Sequence, residues 1–97
     1  MKIANIEKII LCYEKHTISK PAFLAWIAEA KNTKWKTTSD IKNRYSSADF
    51  LPRNRVVFNI KGKKYRLVVR VNYRTSTIDI RFADTHAEYN KINAETV

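Results

Sequence analysis

The sequence predicts an α+β fold in which an N-terminal helical hairpin packs on an antiparallel sheet of three or four strands, followed by a short C-terminal helix. Three observations support this prediction. Apolar residues recur at helical spacing in the N-terminal third. Residues 55–60, 65–73 and 77–83 alternate between apolar and polar side chains, the period of two that a half-buried strand requires. Turn sequences, Lys61-Gly62-Lys63-Lys64 and Arg74-Thr75-Ser76, separate these three runs.

The N-terminal third is predicted to form two helices. A short strand at Lys2 to Ala4 leads to the first helix, since Asn5 is a suitable N-cap and apolar residues recur from Ile6 to Tyr13. Ser19-Lys20-Pro21 opens the second helix, which runs to about Lys31, because proline is tolerated in a first helical turn. We expect the two helices to cover the apolar face of the sheet.

Two shorter helices are predicted from their capping signals. Thr38 or Ser39 is a suitable N-cap for a short helix within residues 34–45. Thr85 and Glu88 have the spacing of a Thr-x-x-Glu capping box, which predicts a turn of helix near the C-terminal end.

The register of the first hairpin follows from its apolar positions. For all apolar side chains to share one face, Phe58 must lie opposite Leu67, and Ile60 opposite Tyr65. This register leaves Gly62-Lys63 as a two-residue turn with glycine first, which is typical of a type II′ turn.

The second hairpin, paired by the same rule, brings two arginines together. The predicted pairs are Val71 with Ile80, Val69 with Phe82, and Arg70 with Arg81. Two like charges directly opposite each other destabilise a sheet by roughly a few tenths of a kcal/mol. We therefore interpret Arg70 and Arg81, with Arg66 and Lys64 beside them, as a surface that receives an anion.

The charge balance indicates a polyanionic partner. The chain has 97 residues, a formal net charge of +10 and a pI near 10. Such a balance favours nucleic acid, an acidic membrane or an acidic protein as partner, with solubility alone as the simpler alternative. Arginine is concentrated after residue 53, and its planar group fits a phosphate with two hydrogen bonds.

The cysteine count and the lack of long apolar stretches limit the class of protein. Cys12 is the only cysteine, so no internal disulfide is possible. No stretch has the apolar length of a signal peptide or a transmembrane helix. We expect residues 1–97 to form a single domain that is cytoplasmic and does not bind membranes.

A series of motifs carries a family resemblance: Trp35-Lys36, Asn54 to Gly62, Tyr65 to Val69, Asn72-Tyr73, Ile80 to Phe82, Thr85 to Tyr89, and Lys91-Ile92. In these motifs the C-terminal half resembles the HigB-type toxins of bacterial toxin-antitoxin systems, part of the RelE-like group of mRNA endonucleases. The resemblance implies a RelE-like domain that cleaves mRNA in the ribosomal A site. It also implies a HigA-like antitoxin partner with a helix-turn-helix, which binds operator DNA as a complex. Aspartate is common after the tyrosine in such sequences, whereas this chain has Asn90, so no acidic role is assigned there.

The residues suit RNA cleavage without a metal or other cofactor. Asp79, Asp84 and Glu88 are spread over a strand, its end and a cap, and the sequence has no His/Cys cluster. Cleavage without metal requires a group that removes the 2′-hydroxyl proton, neutralisation of the phosphorane oxygens, and protonation of the 5′-oxygen.

Four residues are the catalytic candidates. Arg66 and Arg81 hold the scissile phosphate and stabilise its developing charge. His86 is assigned as general acid or base, because histidine is the side chain type that changes protonation near neutral pH. Tyr89 stacks on a base or takes part in proton transfer. The RNA-binding candidates are the other cations of this region: Lys61, Lys63, Lys64, Arg70, Arg74 and Lys91.

Simpler interpretations stand beside these assignments. His86 can serve only to begin a helix, Glu88 only to cap it, and Arg70 only to pair with Asp79, a surface ion pair worth under about 1 kcal/mol. For the whole protein, the alternatives are a non-enzymatic module that binds RNA or the ribosome, and a gyrase-inhibiting toxin of related fold. The first predicts that toxicity survives loss of His86, and the second predicts DNA damage with intact mRNA.

Overall fold

The computed structural model describes residues 1–97 and confirms the α+β class, with five strands instead of three or four. The elements in chain order are β1 (Lys2–Ala4), α1 (Glu7–Lys15), α2 (Lys20–Asn32), α3 (Thr38–Arg44), β2 (Asp49–Leu51), β3 (Arg55–Ile60), β4 (Tyr65–Asn72), β5 (Thr77–Thr85) and α4 (His86–Tyr89). A turn of 3-10 helix at Thr17–Ser19 joins α1 to α2. No helix combines the length and the apolar character needed to span a membrane.

The sheet has the strand order β1-β5-β4-β3-β2. Its three central strands are antiparallel, as predicted, and β1 adds to β5 in parallel. The additional strand is β2, a three-residue edge strand that pairs with β3. The sequence predicted only loops and turns around this segment, because three residues are too few for alternation to be recognised.

The predicted register of the first hairpin is confirmed. Phe58 lies opposite Leu67 and Ile60 lies opposite Tyr65. In the connecting turn, the Lys64 N–H donates to the Lys61 carbonyl over 3.3 Å. Gly62 has φ +66°, a left-handed conformation that glycine adopts without steric cost.

The predicted register of the second hairpin is wrong. Val69 pairs with Ile80 instead of Phe82, and Arg70 pairs with Asp79 instead of Arg81. The turn sets these two pairs, since Asn72 pairs with Thr77 and the pairs next to the turn are displaced by two residues from the prediction. Farther from the turn, between Val68 and Val69, β5 also contributes one extra residue, Arg81, as in a β-bulge. Because side chains alternate with a period of two, one extra residue moves every later side chain to the opposite face.

The main core lies between the helices and one face of the sheet. Phe23, Trp26, Ile27 and Ala30 of α2 and Ile9 of α1 are buried against that face. The sheet contributes Val56, Phe58, Ile60, Tyr65, Leu67, Val69, Val71, Ile78 and Ile80. The predicted packing of the helical hairpin on the apolar face is therefore confirmed.

The outer face of the sheet, which carries Asn59, Arg66, Val68 and Arg70, holds a second and smaller apolar cluster. Val57 and Val68 are buried there beneath Ala94. The bulge places Phe82 in this cluster, whereas the sequence predicted it on the face that meets the helices. The other apolar side chains packed on the cluster are Leu51, Tyr89, Ile92 and Val97. The segment after α4 thus covers the middle of the outer face.

Two predicted helix caps are placed differently. The N-cap of α3 is Thr37, whose side chain accepts from the Asp40 N–H while the Asp40 carboxylate accepts from the Thr37 N–H. Asn5 does not cap α1, since Ile6 is the N-cap residue. Asn5 instead has φ +60° and donates from its side chain to Asp79, which links β1 to β5.

Candidate functional site

Two hydrogen bonds position helix α4 at the junction with β5. The Thr85 side chain accepts from the Glu88 N–H over 3.2 Å, so Thr85 is the N-cap that the sequence predicts. The His86 N–H donates to the Lys64 carbonyl over 3.1 Å. Because Lys64 directly precedes β4, this hydrogen bond fixes the start of α4 beside the first residues of that strand.

The central contact of the site joins Arg66 of β4 to His86 of α4. Nη2 of Arg66 lies 3.0 Å from Nε2 of His86. A guanidinium can only donate hydrogen bonds, so Nε2 must accept. The imidazole in this arrangement is therefore neutral, with its proton on Nδ1, and Nε2 carries the lone pair that a general base uses.

The Tyr89 ring packs against the Arg66 guanidinium. The guanidinium carbon lies 4.9 Å from the centre of the Tyr89 ring, within the range of a cation–π contact. The ring also makes an edge contact with Phe82 at 6.2 Å and lies 6.2 Å from the His86 ring. The tyrosine hydroxyl makes no hydrogen bond within the protein. Tyr89 thus holds Arg66 in place and leaves its own hydroxyl free.

Arg66 has no carboxylate partner. The residue opposite it on β5 is Asp84, but no ion pair joins them, and the Asp84 carboxylate instead lies 3.5 Å from His16. Nε of Arg66 is buried without a hydrogen-bond partner. A half-buried cation without a counter-charge makes this end of the outer face electrostatically suited to an anion.

A second group of arginines lies at the other end of the outer face. Arg55 and Arg70 are directly opposite each other on β3 and β4. Arg55 and Arg81 both donate to the carbonyl oxygen of Val97, over 2.9 and 3.0 Å. Burial lowers the pKa of Arg55, and the neighbouring Arg81 and Arg70 lower it further. The arginines that face each other are therefore Arg55 and Arg70, not Arg70 and Arg81.

Asp79 provides the counter-charge of this second group. Burial by itself favours the neutral acid, but hydrogen bonds from Asn5 and Arg81 outweigh it, and the net pKa of Asp79 is lowered. Nη1 of Arg81 lies 2.8 Å from the Asp79 carboxylate. Arg70 makes no such contact and is exposed, although it lies opposite Asp79 in the sheet. Arg81 thus forms the ion pair that the sequence suggested for Arg70.

The remaining RNA-binding candidates are on the surface around these two groups. Lys61, Lys63 and Lys64 are exposed at the first hairpin turn, next to the start of α4. Arg74 is exposed at the second hairpin turn. Lys91 is exposed and forms an ion pair with Glu88 over 3.1 Å.

Sequence reasoning missed Arg55 as a functional candidate. Only 8% of its surface is exposed, which is rare for an arginine. A signal was present, since the register that places Phe58 opposite Leu67 also places Arg55 opposite Arg70. The covering of Val57 and Val68 by residues 90–97 had no comparable signal, because that segment lacks a periodic pattern.

The fold and the site together define a small basic α+β protein with an arginine–histidine pair at one end of the outer face of its sheet. The chain belongs to the HigB toxin family, described as a RelE-like toxic component of a toxin-antitoxin system, and the family model matches residues 19–92. No curated protein matches the chain. The protein is therefore the toxin of a toxin-antitoxin pair, and the family implies an antitoxin partner.

Proposed function

We propose that this toxin is a metal-independent endoribonuclease that cleaves mRNA on the ribosome and thereby stops translation. The reaction is attack of a ribose 2′-oxygen on the adjacent phosphorus, with departure of the 5′-oxygen of the next nucleotide. The 2′-hydroxyl proton passes to the protein and a second proton is delivered to the leaving oxygen, so that a cyclic phosphate and a free 5′-hydroxyl result.

The observation that carries this proposal is the contact between Arg66 and an unprotonated Nε2 of His86. The scissile phosphate binds the Arg66 guanidinium, which has no counter-charge of its own. The bound phosphate draws Nη2 of Arg66 away from Nε2 of His86, and the single lone pair of Nε2 then accepts the 2′-hydroxyl proton. The same guanidinium then stabilises the negative charge that develops on the phosphorane oxygens.

Tyr89 has two roles in the proposal. Its ring keeps the Arg66 guanidinium oriented through the contact at 4.9 Å. Its hydroxyl, which has no partner within the protein, delivers the proton to the 5′-oxygen. A phenol is a suitable donor because an alkoxide leaving group is far more basic than a phenolate.

The exposed cations define a path for RNA around the segment that covers the middle of the outer face. Lys61, Lys63 and Lys64 flank the Arg66 end, and Arg70 and Arg74 lie toward the other end of β4. These side chains bind successive phosphates without reading bases, so they contribute affinity that falls with salt concentration. The ribosome supplies the rest of the positioning of the message.

We assign Arg81 an electrostatic role at the distal end of this path. Its guanidinium is engaged by Asp79 and the Val97 carbonyl. Contact with the scissile phosphate would require Arg81 to leave both partners. We therefore expect Arg81→Ala to lower RNA affinity more than the rate of the chemical step.

The test is single-turnover cleavage of mRNA on programmed ribosomes by the wild type and by the Ala variants of Arg66, Arg81 and His86. We expect His86→Ala to lower the rate by about 10²–10⁴-fold, the range for loss of a general base, with ribosome binding retained. Measured binding separates the loss of chemistry from the loss of docking.

Two outcomes would contradict the proposal. If the wild type and His86→Ala are both toxic and neither cleaves mRNA, the protein is a non-enzymatic RNA or ribosome ligand that acts through charge. If transcripts remain intact while DNA supercoiling by gyrase is inhibited, the toxin acts on gyrase.

A further inference from the structure

A groove runs between α1 and the edge of β5, away from the residues of the proposed reaction. Strand β1 pairs with β5 only at Thr77, Ile78 and Asp79. From Ile80 to Thr85 no strand lies on that side of β5, and α1 packs there instead. The groove has a volume of about 280 Å³ and is lined on the strand side by Arg81–Asp84. None of Arg66, His86 and Tyr89 lines it.

Helix α1 presents one continuous stripe to this groove. Lys8, Leu11, Cys12 and Lys15 have the spacing i, i+3, i+4, i+7 of a single helical face. Cys12 forms the buried base of the stripe, whereas Leu11 is 67% exposed, the most exposed of the large apolar side chains. An exposed leucine between two lysines is an apolar anchor point with a cationic rim, the arrangement of many protein interfaces.

The charge of the groove favours an acidic occupant. Lys8 and Lys15 line it against the single carboxylate of Asp84, while Arg81, which also lines it, is already paired with Asp79. Neither lysine forms an ion pair with a residue of the protein. The groove opens between α1 and this edge of β5, which has no strand partner beyond Asp79, so an extended segment can lie along it.

We propose that this groove is the docking surface for an extended acidic segment of the antitoxin. Carboxylates of the segment meet Lys8 and Lys15, and one apolar side chain of the segment packs on Leu11. This inference rests on the antitoxin partner that the toxin family implies, and it adds where that partner binds. A segment bound here holds the toxin without inserting a side chain between Arg66 and His86.

The experiment measures the affinity of purified toxin for its cognate antitoxin by calorimetry, in the absence of RNA. The test variant is the double substitution Lys8→Glu/Lys15→Glu, and the matched control is Lys31→Glu/Lys34→Glu. All four lysines are exposed and both variants change the net charge equally. We expect the test variant to bind at least tenfold more weakly than the control, with a smaller dependence of affinity on salt.

Leu11→Ala tests the apolar contact independently of charge. It should weaken antitoxin binding at both low and high salt, whereas Leu24→Ala, at a leucine that is also exposed but lies on α2, should not. Circular dichroism verifies that each variant is folded. Hydrogen exchange should show that the antitoxin protects residues 8–15 and 81–84.

Three results would overturn the docking proposal. The first is equal weakening by the test and control pairs, which indicates attraction by net charge. The second is unchanged exchange at residues 8–15 and 81–84 in the complex. The third is unchanged antitoxin affinity with reduced RNA affinity in the test variant, which assigns the groove to RNA. Because binding is measured without RNA, a toxin that cleaves nothing still gives a decisive answer here.

Discussion

Nη2 of Arg66 and Nε2 of His86 are 3.0 Å apart, so the phosphate-binding cation and the proton acceptor of the proposed reaction are in direct contact before substrate arrives. When two residues act as one unit, removing either one disables the unit, and removing the second costs little more. We therefore expect the single variants Arg66→Ala and His86→Ala and the double variant to have similar cleavage rates. The measurement is a double-mutant cycle of single-turnover rates on ribosomes. Additive losses would show that the two residues act independently.

The shape of the Arg66 side chain should matter as well as its charge. Arg66→Lys keeps the positive charge but loses the planar group that contacts Nε2 of His86 and lies over the Tyr89 ring. We expect this variant to retain most of its RNA affinity and to lose most of its cleavage rate. Filter binding and single-turnover kinetics on the same preparation provide the comparison. A variant with the wild-type rate would mean that only the charge is needed.

The phenol of Tyr89 should contribute separately from its ring. Tyr89→Phe keeps the surface beneath Arg66 and the edge contact with Phe82 but removes the free hydroxyl. We expect a reduced cleavage rate and unchanged thermal stability, whereas Tyr89→Ala should lower both. The measurements are the single-turnover rate and the melting temperature. If Tyr89→Phe has the wild-type rate, the proton for the leaving oxygen comes from another group.

The stability of the fold should depend strongly on Phe58, because its ring is 1% exposed and contacts three aromatic neighbours. The ring centres of Trp26, Trp35 and Tyr45 lie 5.3, 6.1 and 5.2 Å from that of Phe58. Phe58→Ala should lower the free energy of unfolding by about 3–5 kcal/mol, measured by urea denaturation. Phe50→Ala is the control, since Phe50 is 36% exposed on the edge strand β2. A similar loss in both variants would contradict the assignment of Phe58 to the core.

How far the fold follows from the sequence is clearest in the two hairpins. The first has a glycine turn and unbroken alternation, so Phe58 and Leu67 could be paired correctly from the pattern alone. The second contains a bulge, and the alternation of Ile78, Ile80 and Phe82 continues through it without a visible break. The position of a bulge depends on how both faces of the sheet are packed. Here that packing includes the C-terminal residues over Val68, which a local sequence pattern does not predict.

The same distinction applies to the candidate site. His86 and Tyr89 could be placed beside Arg66 because the Thr-x-x-Glu signal correctly predicts Thr85 as the N-cap of α4, although the Glu88 carboxylate pairs with Lys91 and does not complete a capping box. The separation of Arg81 from that group could not be predicted, because it follows from the bulge and from Asp79 as a partner. Contacts that depend on residues close in sequence could thus be predicted, whereas contacts that depend on the tertiary structure could not.

The cap of α3 offers a direct comparison between sequence and structure. The sequence favours Thr38 or Ser39, whereas the structure places Thr37 at the N-cap, in a reciprocal pair with Asp40. Thr37→Ala should therefore lower the free energy of unfolding by about 1 kcal/mol. Thr38→Ala, one residue inside the helix, should change it by less than about 0.5 kcal/mol. The reverse order in a thermal or urea titration would show that the cap lies at Thr38.

The thiol of Cys12 should make stability fall at alkaline pH. Burial, with a smaller effect of Asp84, raises the pKa of Cys12 from 9.0 to about 11. Above pH 9 the unfolded chain releases the thiol proton while the folded chain retains it, so this group stabilises the fold fully below pH 9 and progressively less up to pH 11.

Relative to Cys12→Ala, the wild type should therefore lose about 1 kcal/mol of unfolding free energy between pH 8 and pH 10. The comparison removes the titration of lysines and tyrosines, since both proteins contain them. Iodoacetamide should also alkylate the folded protein at pH 8.5 at least about tenfold more slowly than the urea-unfolded chain, because the thiolate is the nucleophile. Parallel pH profiles of the two proteins, or equal alkylation rates, would show that the Cys12 thiol is exposed to solvent.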